Sequence, residues 1–292
     1  MNILDIINKF PNQESCIKFL EEIRWNNKPK CLFCFSEKVN SVLKESRYKC
    51  KKCHKSFSVT AQTIFHHTRV PLQKWFILIV LMANAKKSLS SSQASRDLNL
   101  RLATVWKMMH KIRKARANDE IKLLAKILEM DETYVGGKPR KYNDVDNKNN
   151  SLRGRGTSKE CVVGIIERNG NVKLFHAKNK SIKSEDLMKI VKENVDINNS
   201  ILFTDEYRGY YKMNKILPHE QVNYKKYFSY NGIHTNTIES FWAILKRGFI
   251  GQFHWVSKKW LQSYLNEFCF KYNNRKEKIT FKNIIIKLFI KN

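Results

Sequence analysis

The chain has 292 residues, 42% of them hydrophobic and 28% charged; these proportions exclude a disordered, collagen-like or disulfide-scaffold protein and suggest about two domains, or one with small appended modules. Lysine and arginine total 55 against 26 acidic residues, a formal net charge of +29. A charge of this size repels itself unless neutralised, which argues against an ordinary metabolic enzyme and for a polyanionic partner, nucleic acid first among them, with a lysine-rich solvated surface as the plainer reading.

The longest apolar run, residues 75–83, is far short of the ~20 needed to cross a bilayer, and the N-terminus lacks the basic-then-apolar pattern of a secretory signal. The expectation is no membrane association and an intracellular protein, in a bacterial cytoplasm or nucleoid or in a nucleus. In a reducing compartment, seven cysteines with two close pairs read as metal ligands plus buried thiols. Cys16, Cys161 and Cys269 lie on apolar stretches and are expected in the core.

In chain order, residues 15–24 follow helical spacing and lead into a segment, 31–58, with short β-like stretches at 39–43 and Tyr48. Pro71 opens an apolar helix over 72–85, followed by helical stretches at 93–98 and 102–117, which together predict a compact three-helix bundle. A strand follows at 127–135, broken by Gly136-Gly137. Residues 138–160 read as a mobile loop. Strands at 161–167 and 172–177 join through Asn169-Gly170, a hairpin signal. A helix at 185–195, a strand at 201–204 and helices at 235–249 and 258–272 complete an α/β pattern with a mixed sheet.

Three constellations carry chemistry. Cys31-x-x-Cys34 and Cys50-x-x-Cys53, fifteen residues apart, have the spacing of a four-thiolate zinc ribbon, in which one structural Zn²⁺ replaces a hydrophobic core too small to form. The segment from Ser88 to Arg116 reads as a helix-turn-helix with its turn at Asn99 and a basic second helix. Candidate DNA contacts are Arg101, Lys107, Lys111, Arg113, Lys114, Lys138, Arg140 and Arg247. Acids are scarce, yet Asp131 lies within one strand, Asp205 ends another, and Glu239 sits on a later helix with Asn236 one turn earlier. Carboxylates at strand ends and on one helix face can converge on two Mg²⁺ or Mn²⁺ ions about 4 Å apart, as phosphoryl transfer requires.

The stretches Phe57–Thr60, Pro71–Phe76, Met130–Lys138, Phe203–Glu206 and His234–Trp242, followed by Leu245–Gly248, resemble the insertion-sequence DDE transposases with an N-terminal zinc ribbon, the group that includes the Merlin elements. The resemblance covers most of the chain from Cys31 to about Phe281. It implies a ribonuclease-H-like catalytic domain whose acidic triad falls on Asp131, Asp205 and Glu239. Some members use an asparagine as the third residue, so Asn236 stands beside Glu239 as a candidate. Lys246, two turns along the same helix face, matches the family's basic residue and would hold a phosphate of the terminal DNA. Trp242 is either a base-stacking residue or core, and His234 positions substrate or caps the helix. The first knuckle, Cys-Leu-Phe-Cys-Phe-Ser, departs from the pattern by lacking proline and glycine.

The expected domains are residues 1–69, an N-terminal helix and zinc ribbon; 70–120, the helix-turn-helix; and 121–292, the catalytic domain. The expected function is a DNA transposase that binds its element's terminal inverted repeats and cuts and joins strands with two Mg²⁺ or Mn²⁺ ions. Its partners would be double-stranded repeat and target DNA, bound by at least a homodimer. The alternatives are a catalytically silent, transposase-derived DNA-binding regulator, and a nuclease on the same fold that cuts without joining.

Overall fold

The computed structural model describes residues 2–42, 46–116, 123–136, 159–177, 182–222, 234–276 and 280–289. The chain divides into two units, Met1–Asp119 with Glu277–Asn292, and Glu120–Lys276. No helix among the described residues is long and apolar enough to cross a membrane. The expected mobile loop at 138–160 lies almost wholly outside the described residues.

The first unit begins with α1 (Ile3–Lys9) and α2 (Gln13–Trp25). A capping box starts α2: the Asn12 side chain accepts from the Ser15 N–H at 2.9 Å, and Asn26 in the left-handed region ends the helix. A three-stranded antiparallel sheet follows, β1 (Val39–Val42), β2 (Arg47–Cys50) and β3 (Ser56–Phe57). Among the described residues, only Cys31, Cys50 and Phe57 are buried in its own small core, which leans on Trp25 of α2. Tyr48 also donates its hydroxyl to Glu21 at 2.8 Å.

The helices α3 (Leu72–Asn84), α4 (Ser91–Leu98) and α5 (Leu102–Arg116) lie where the sequence predicts helices, but they share one core with α1, α2 and the final helix and are no bundle of their own. In α3, Leu72, Trp75, Phe76, Leu78, Ile79, Val80 and Met82 are all buried, which is why its sequence is apolar nearly all round. Asn99, in the left-handed region, ends α4 and turns the chain into α5. The final helix, Phe281–Phe289, does not join the unit that precedes it in sequence. Phe281 instead packs against Phe10, Phe19 and Phe76, with ring centroids 5.7, 5.7 and 5.1 Å apart. The division that assigned 121–292 to one domain therefore differs from the structure at its C-terminal end, because four aromatic rings gather there.

The second unit holds β4 (Leu124–Val135), β5 (Glu160–Glu167), β6 (Val172–His176), α6 (Ser184–Asn194), β7 (Val195–Thr204), β8 (His219–Gln221), α7 (Asn236–Gly248) and α8 (Leu261–Asn273). The sheet order is β6-β5-β4-β7-β8. Strands β4, β5 and β6 pair antiparallel, whereas β7 runs parallel to β4 and β8 parallel to β7. This is the expected ribonuclease-H-like mixed sheet. Alternation along β4 places Leu128 and Met130 in the core with Leu187 and Val191 of α6, and Glu129 and Asp131 on the face toward α7. The opposite core joins Val162 and Ile166 of β5 to Ile238, Phe241, Trp242 and Leu245 of α7 and to α8.

Candidate active site and cysteine cluster

Asp131, Glu132, Thr133, Asp205, Thr235, Glu239, Trp242, Ala243 and Lys246 line one pocket of about 470 Å³ in the second unit. Asp131 comes from the middle of the central strand, Asp205 from the end of the neighbouring parallel strand, and Glu239 and Lys246 from one face of α7. The structure thus brings together four of the five residues the sequence nominates for chemistry. The fifth, Asn236, is the exposed first residue of α7 and is not among those lining the pocket.

Hydrogen bonds hold each acid. Trp242 donates its indole N–H to Asp131 Oδ2 at 2.9 Å, and the Glu132 backbone N–H donates to Asp131 Oδ1 at 2.8 Å. Asp205 Oδ1 accepts from the Tyr207 backbone N–H at 3.0 Å, and Glu239 Oε1 accepts from the Thr235 hydroxyl at 3.2 Å. Burial, then the carboxylates of Glu132 and Asp205, push the Asp131 carboxyl up to about 7. A buried acid crowded by like charge at that pH is one that a cation would relieve. The three acids share one pocket, and among the described residues the group of three or more ligating side chains close enough to hold a metal ion together is that of the four cysteines.

Trp242 is 4% exposed and its indole N–H is committed to Asp131, which removes it as a base-stacking residue. Gly164, directly opposite Asp131 on β5, makes room for its ring: a Cβ there would lie 2.7 Å from Trp242 Cη2. Four further contributors, three of them buried, escaped the sequence reading. Tyr210 donates its hydroxyl to Glu132 at 2.7 Å, while Glu129 pairs with Arg168 at 2.7 Å. The motif Met130-Asp-Glu132 hinted at Glu132, but no local pattern pairs residues 39 apart.

Of the expected DNA contacts, Arg101, Lys107, Lys111, Lys114 and Arg247 are exposed, and Lys107, Lys111 and Lys114 follow one face of α5. Arg113 is corrected: it is 1% exposed, because its position on α5 turns it into the unit. Lys138 and Arg140 lie outside the described residues.

Cys31, Cys34, Cys50 and Cys53 place their sulfurs within 4.8 Å of one another, with Cys31–Cys53 and Cys34–Cys50 each at 3.5 Å. A tetrahedral thiolate site with Zn–S near 2.3 Å needs sulfurs about 3.8 Å apart, so the set fits zinc. Backbone N–H groups of Cys53 and Lys52 aimed at its sulfur bring the Cys50 thiol down to about 6, while burial and the neighbouring sulfurs push the Cys34 thiol up to about 12. The two knuckles match: Phe35 N–H donates to Cys31 O at 3.0 Å and His54 N–H to Cys50 O at 3.1 Å. Phe35 and His54 hold φ of 57° and 60°, so the missing glycine of the first knuckle is replaced by a residue in the left-handed region. Cys16 and Cys161 are fully buried and Cys269 is 6% exposed, as expected of core thiols.

Residues 123–273 match the family described as ISXO2-like transposase domain, and residues 11–56 the transposase zinc-ribbon domain. A protein in the transposable element ISH50 of Halobacterium salinarum is 27% identical over 273 residues, 90% of this chain and 91% of its own length. Among solved structures, similarity extends to the Mos1 mariner paired end complex with Mn, at 8% identity and a TM-score of 0.32 over 71% of this chain and 73% of that one. It extends also to the simian T-cell lymphotropic virus intasome in complex with the PP2A regulatory subunit B56 gamma, at 13% identity and a TM-score of 0.31 over 60% of this chain and 63% of that one.

Proposed function

Because the chain belongs to the family of ISXO2-like transposase domains and carries its zinc ribbon, we propose that it is a DNA transposase that cuts at its element's ends and joins them to target DNA. The observation that carries this reading is the shared pocket of Asp131, Asp205, Glu239 and Lys246. Asp131, Asp205 and Glu239 would hold two Mg²⁺ or Mn²⁺ ions, with Glu239 favoured over Asn236 because it faces the pocket. When bound, the ions supply Lewis-acid activation of the attacking oxygen and charge stabilisation at the leaving one.

The protein's own part is positional. Lys246 holds a phosphate of the terminal DNA beside the acids, and the Trp242 N–H keeps one Asp131 oxygen turned toward the indole so that the carboxylate presents a fixed edge. In the first step a water oxygen bonds to phosphorus as the P–O bond to the terminal 3′ oxygen breaks, leaving a free 3′-hydroxyl. That hydroxyl then attacks a target phosphodiester, releasing a target 3′ oxygen in its turn. The exposed lysines of α5, with Arg101, would grip the repeat, and Arg247 lies on the helix that carries Glu239. Holding two ends together calls for at least a dimer, acting wherever the cell keeps its DNA.

A strand-transfer assay on labelled DNA ends flanking this gene, with Mg²⁺ or Mn²⁺, tests the reading. The native chain is expected to yield joined products that vanish in Asp205→Asn while DNA binding persists. Binding without products from either protein would assign the chain to the silent regulator, and cut but unjoined ends to the nuclease.

A further inference from the structure

Glu129 sits two residues before Asp131 on β4, its carboxylate fully buried, and it belongs to no part of the pocket lining. Its two oxygens gather donors from three places. The backbone N–H groups of Thr237 and Ile238 reach Oε2 at 2.8 and 3.0 Å, and the Thr237 hydroxyl reaches Oε1 at 2.9 Å. Arg168, at the β5–β6 turn, donates Nε to Oε1 at 2.7 Å and an Nη2 proton to the His234 carbonyl at 2.8 Å. His234 Nδ1 lies 3.3 Å from the same carboxylate.

The start of α7 explains why a strand residue is recruited. Thr235, at the N-cap position, makes no side-chain cap bond, so the first helical N–H groups need an acceptor from elsewhere. A carboxylate is the strongest acceptor for that end of a helix, by charge as well as by hydrogen bonding. The buried charge in turn needs Arg168, whose guanidinium is held over the Phe203 ring at 4.8 Å, on the strand that leads into Asp205. Three of the elements that build the pocket therefore meet at one buried group outside it.

We propose that Glu129 is a positioning residue for the reaction: it clamps the first turn of α7 to β4 and so sets where Glu239 and Lys246 stand relative to Asp131. The inference rests on the reading that Asp131, Asp205 and Glu239 form the catalytic set. Trp242 fixes the second turn of the same helix to the same strand, and Glu129 fixes the first, so the two bonds together define the helix's rotation and not merely its contact.

The test uses the full-length, zinc-loaded chain and compares Glu129→Gln, Glu129→Asp and Asp205→Asn with native protein. It measures end-cleavage rate against Mn²⁺ concentration, DNA affinity, and melting temperature. Outer residues that orient metal ligands commonly change affinity or activity 10- to 100-fold. Glu129→Gln is expected to cleave about 10- to 100-fold more slowly and to need at least about tenfold more Mn²⁺ for half-maximal rate, with DNA affinity unchanged. Glu129→Asp, which keeps the charge on a shorter arm, is expected to fall between the two. If Glu129→Gln fails to fold, the Mn²⁺ dependence of Glu129→Asp decides. A merely structural glutamate would lower the melting temperature and the active fraction without moving the Mn²⁺ midpoint; that outcome, or native behaviour in the folded variant, overturns the inference. Full cleavage by Asp205→Asn would instead remove the catalytic reading beneath it, and the inference would fall with it.

Discussion

Trp242 and Asp131 are joined by a 2.9 Å hydrogen bond that runs from the helix carrying Glu239 to the central strand. The bond is possible because residue 164 on the neighbouring strand has no side chain to occupy the space of the indole ring. Trp242→Phe keeps most of the buried ring and deletes the donor. Its expected outcome is a folded protein with native DNA affinity and cleavage reduced about tenfold or more, in the range of losses seen when a metal ligand loses its orienting partner. Gly164→Ala should do at least as much harm by pushing the ring aside. Parallel cleavage and DNA-binding assays check both; a loss of DNA affinity in Trp242→Phe would return the indole to the DNA interface.

The exposed lysines of α5 predict a salt signature. Each phosphate contact contributes about 0.9 to the slope of log K against log salt. Replacing Lys107, Lys111 and Lys114 together by glutamine should therefore flatten the slope by up to about 2.7, on three contacts. Arg113→Gln should leave the slope alone and lower the melting temperature, because that side chain is 1% exposed. Titrations of binding at several salt concentrations separate the two classes.

Zinc removal should act locally. Among its described residues the ribbon buries in its own core only two of its cysteines and Phe57, so a metal would replace the core that these few residues cannot make. A chelator is expected to expose residues 31–57 to protease while the melting of the second unit stays put. An unchanged cleavage pattern in that segment would count against a structural metal.

Acid should weaken the sheet beside Asp205. Burial holds His219 down to about 4, and its two ring nitrogens face the Thr204 hydroxyl at 2.8 Å and the Asn214 side chain at 3.0 Å. The unfolded chain takes up this proton near pH 6.5 and the folded chain only near 4. The stability that follows from keeping the ring neutral is complete above 6.5 and is lost as pH falls through that window. Asp131, held up to about 7 in the folded chain, acts in the opposite direction over the same window, so the check is a difference: between pH 6.5 and 4 the melting temperature of the native chain should fall relative to that of His219→Gln, and parallel curves would overturn the assignment to His219.

These outcomes trace what was legible in one dimension. Cysteine spacing and the acids at strand ends are local signals, and the knuckles, Asp131, Asp205 and Glu239 fall where their neighbours in sequence put them. Helix periodicity placed α3, α5 and α7 within a residue or two. What escaped was set by partners distant in the chain. Glu129 reads as an ordinary strand acid until Thr237, 108 residues later, is seen to need an acceptor. Arg113 belongs to a run of basic residues and differs from Lys111 and Lys114 only in the direction it points. The strand β8, three residues long, has too few positions to show alternation.

Phe281 has a consequence for the order in which the molecule comes into being. Phe10, Phe19 and Phe76 leave the ribosome early, yet the ring that completes their cluster follows Phe76 by 205 residues, after the whole of the second unit. The unit that bears the ribbon and the basic helix keeps an open apolar side until residue 281 is made, while the acidic pocket, made wholly of residues that precede it, is free to assemble first. A chain made only as far as residue 276 would therefore have its acidic pocket before the core of its first unit was closed.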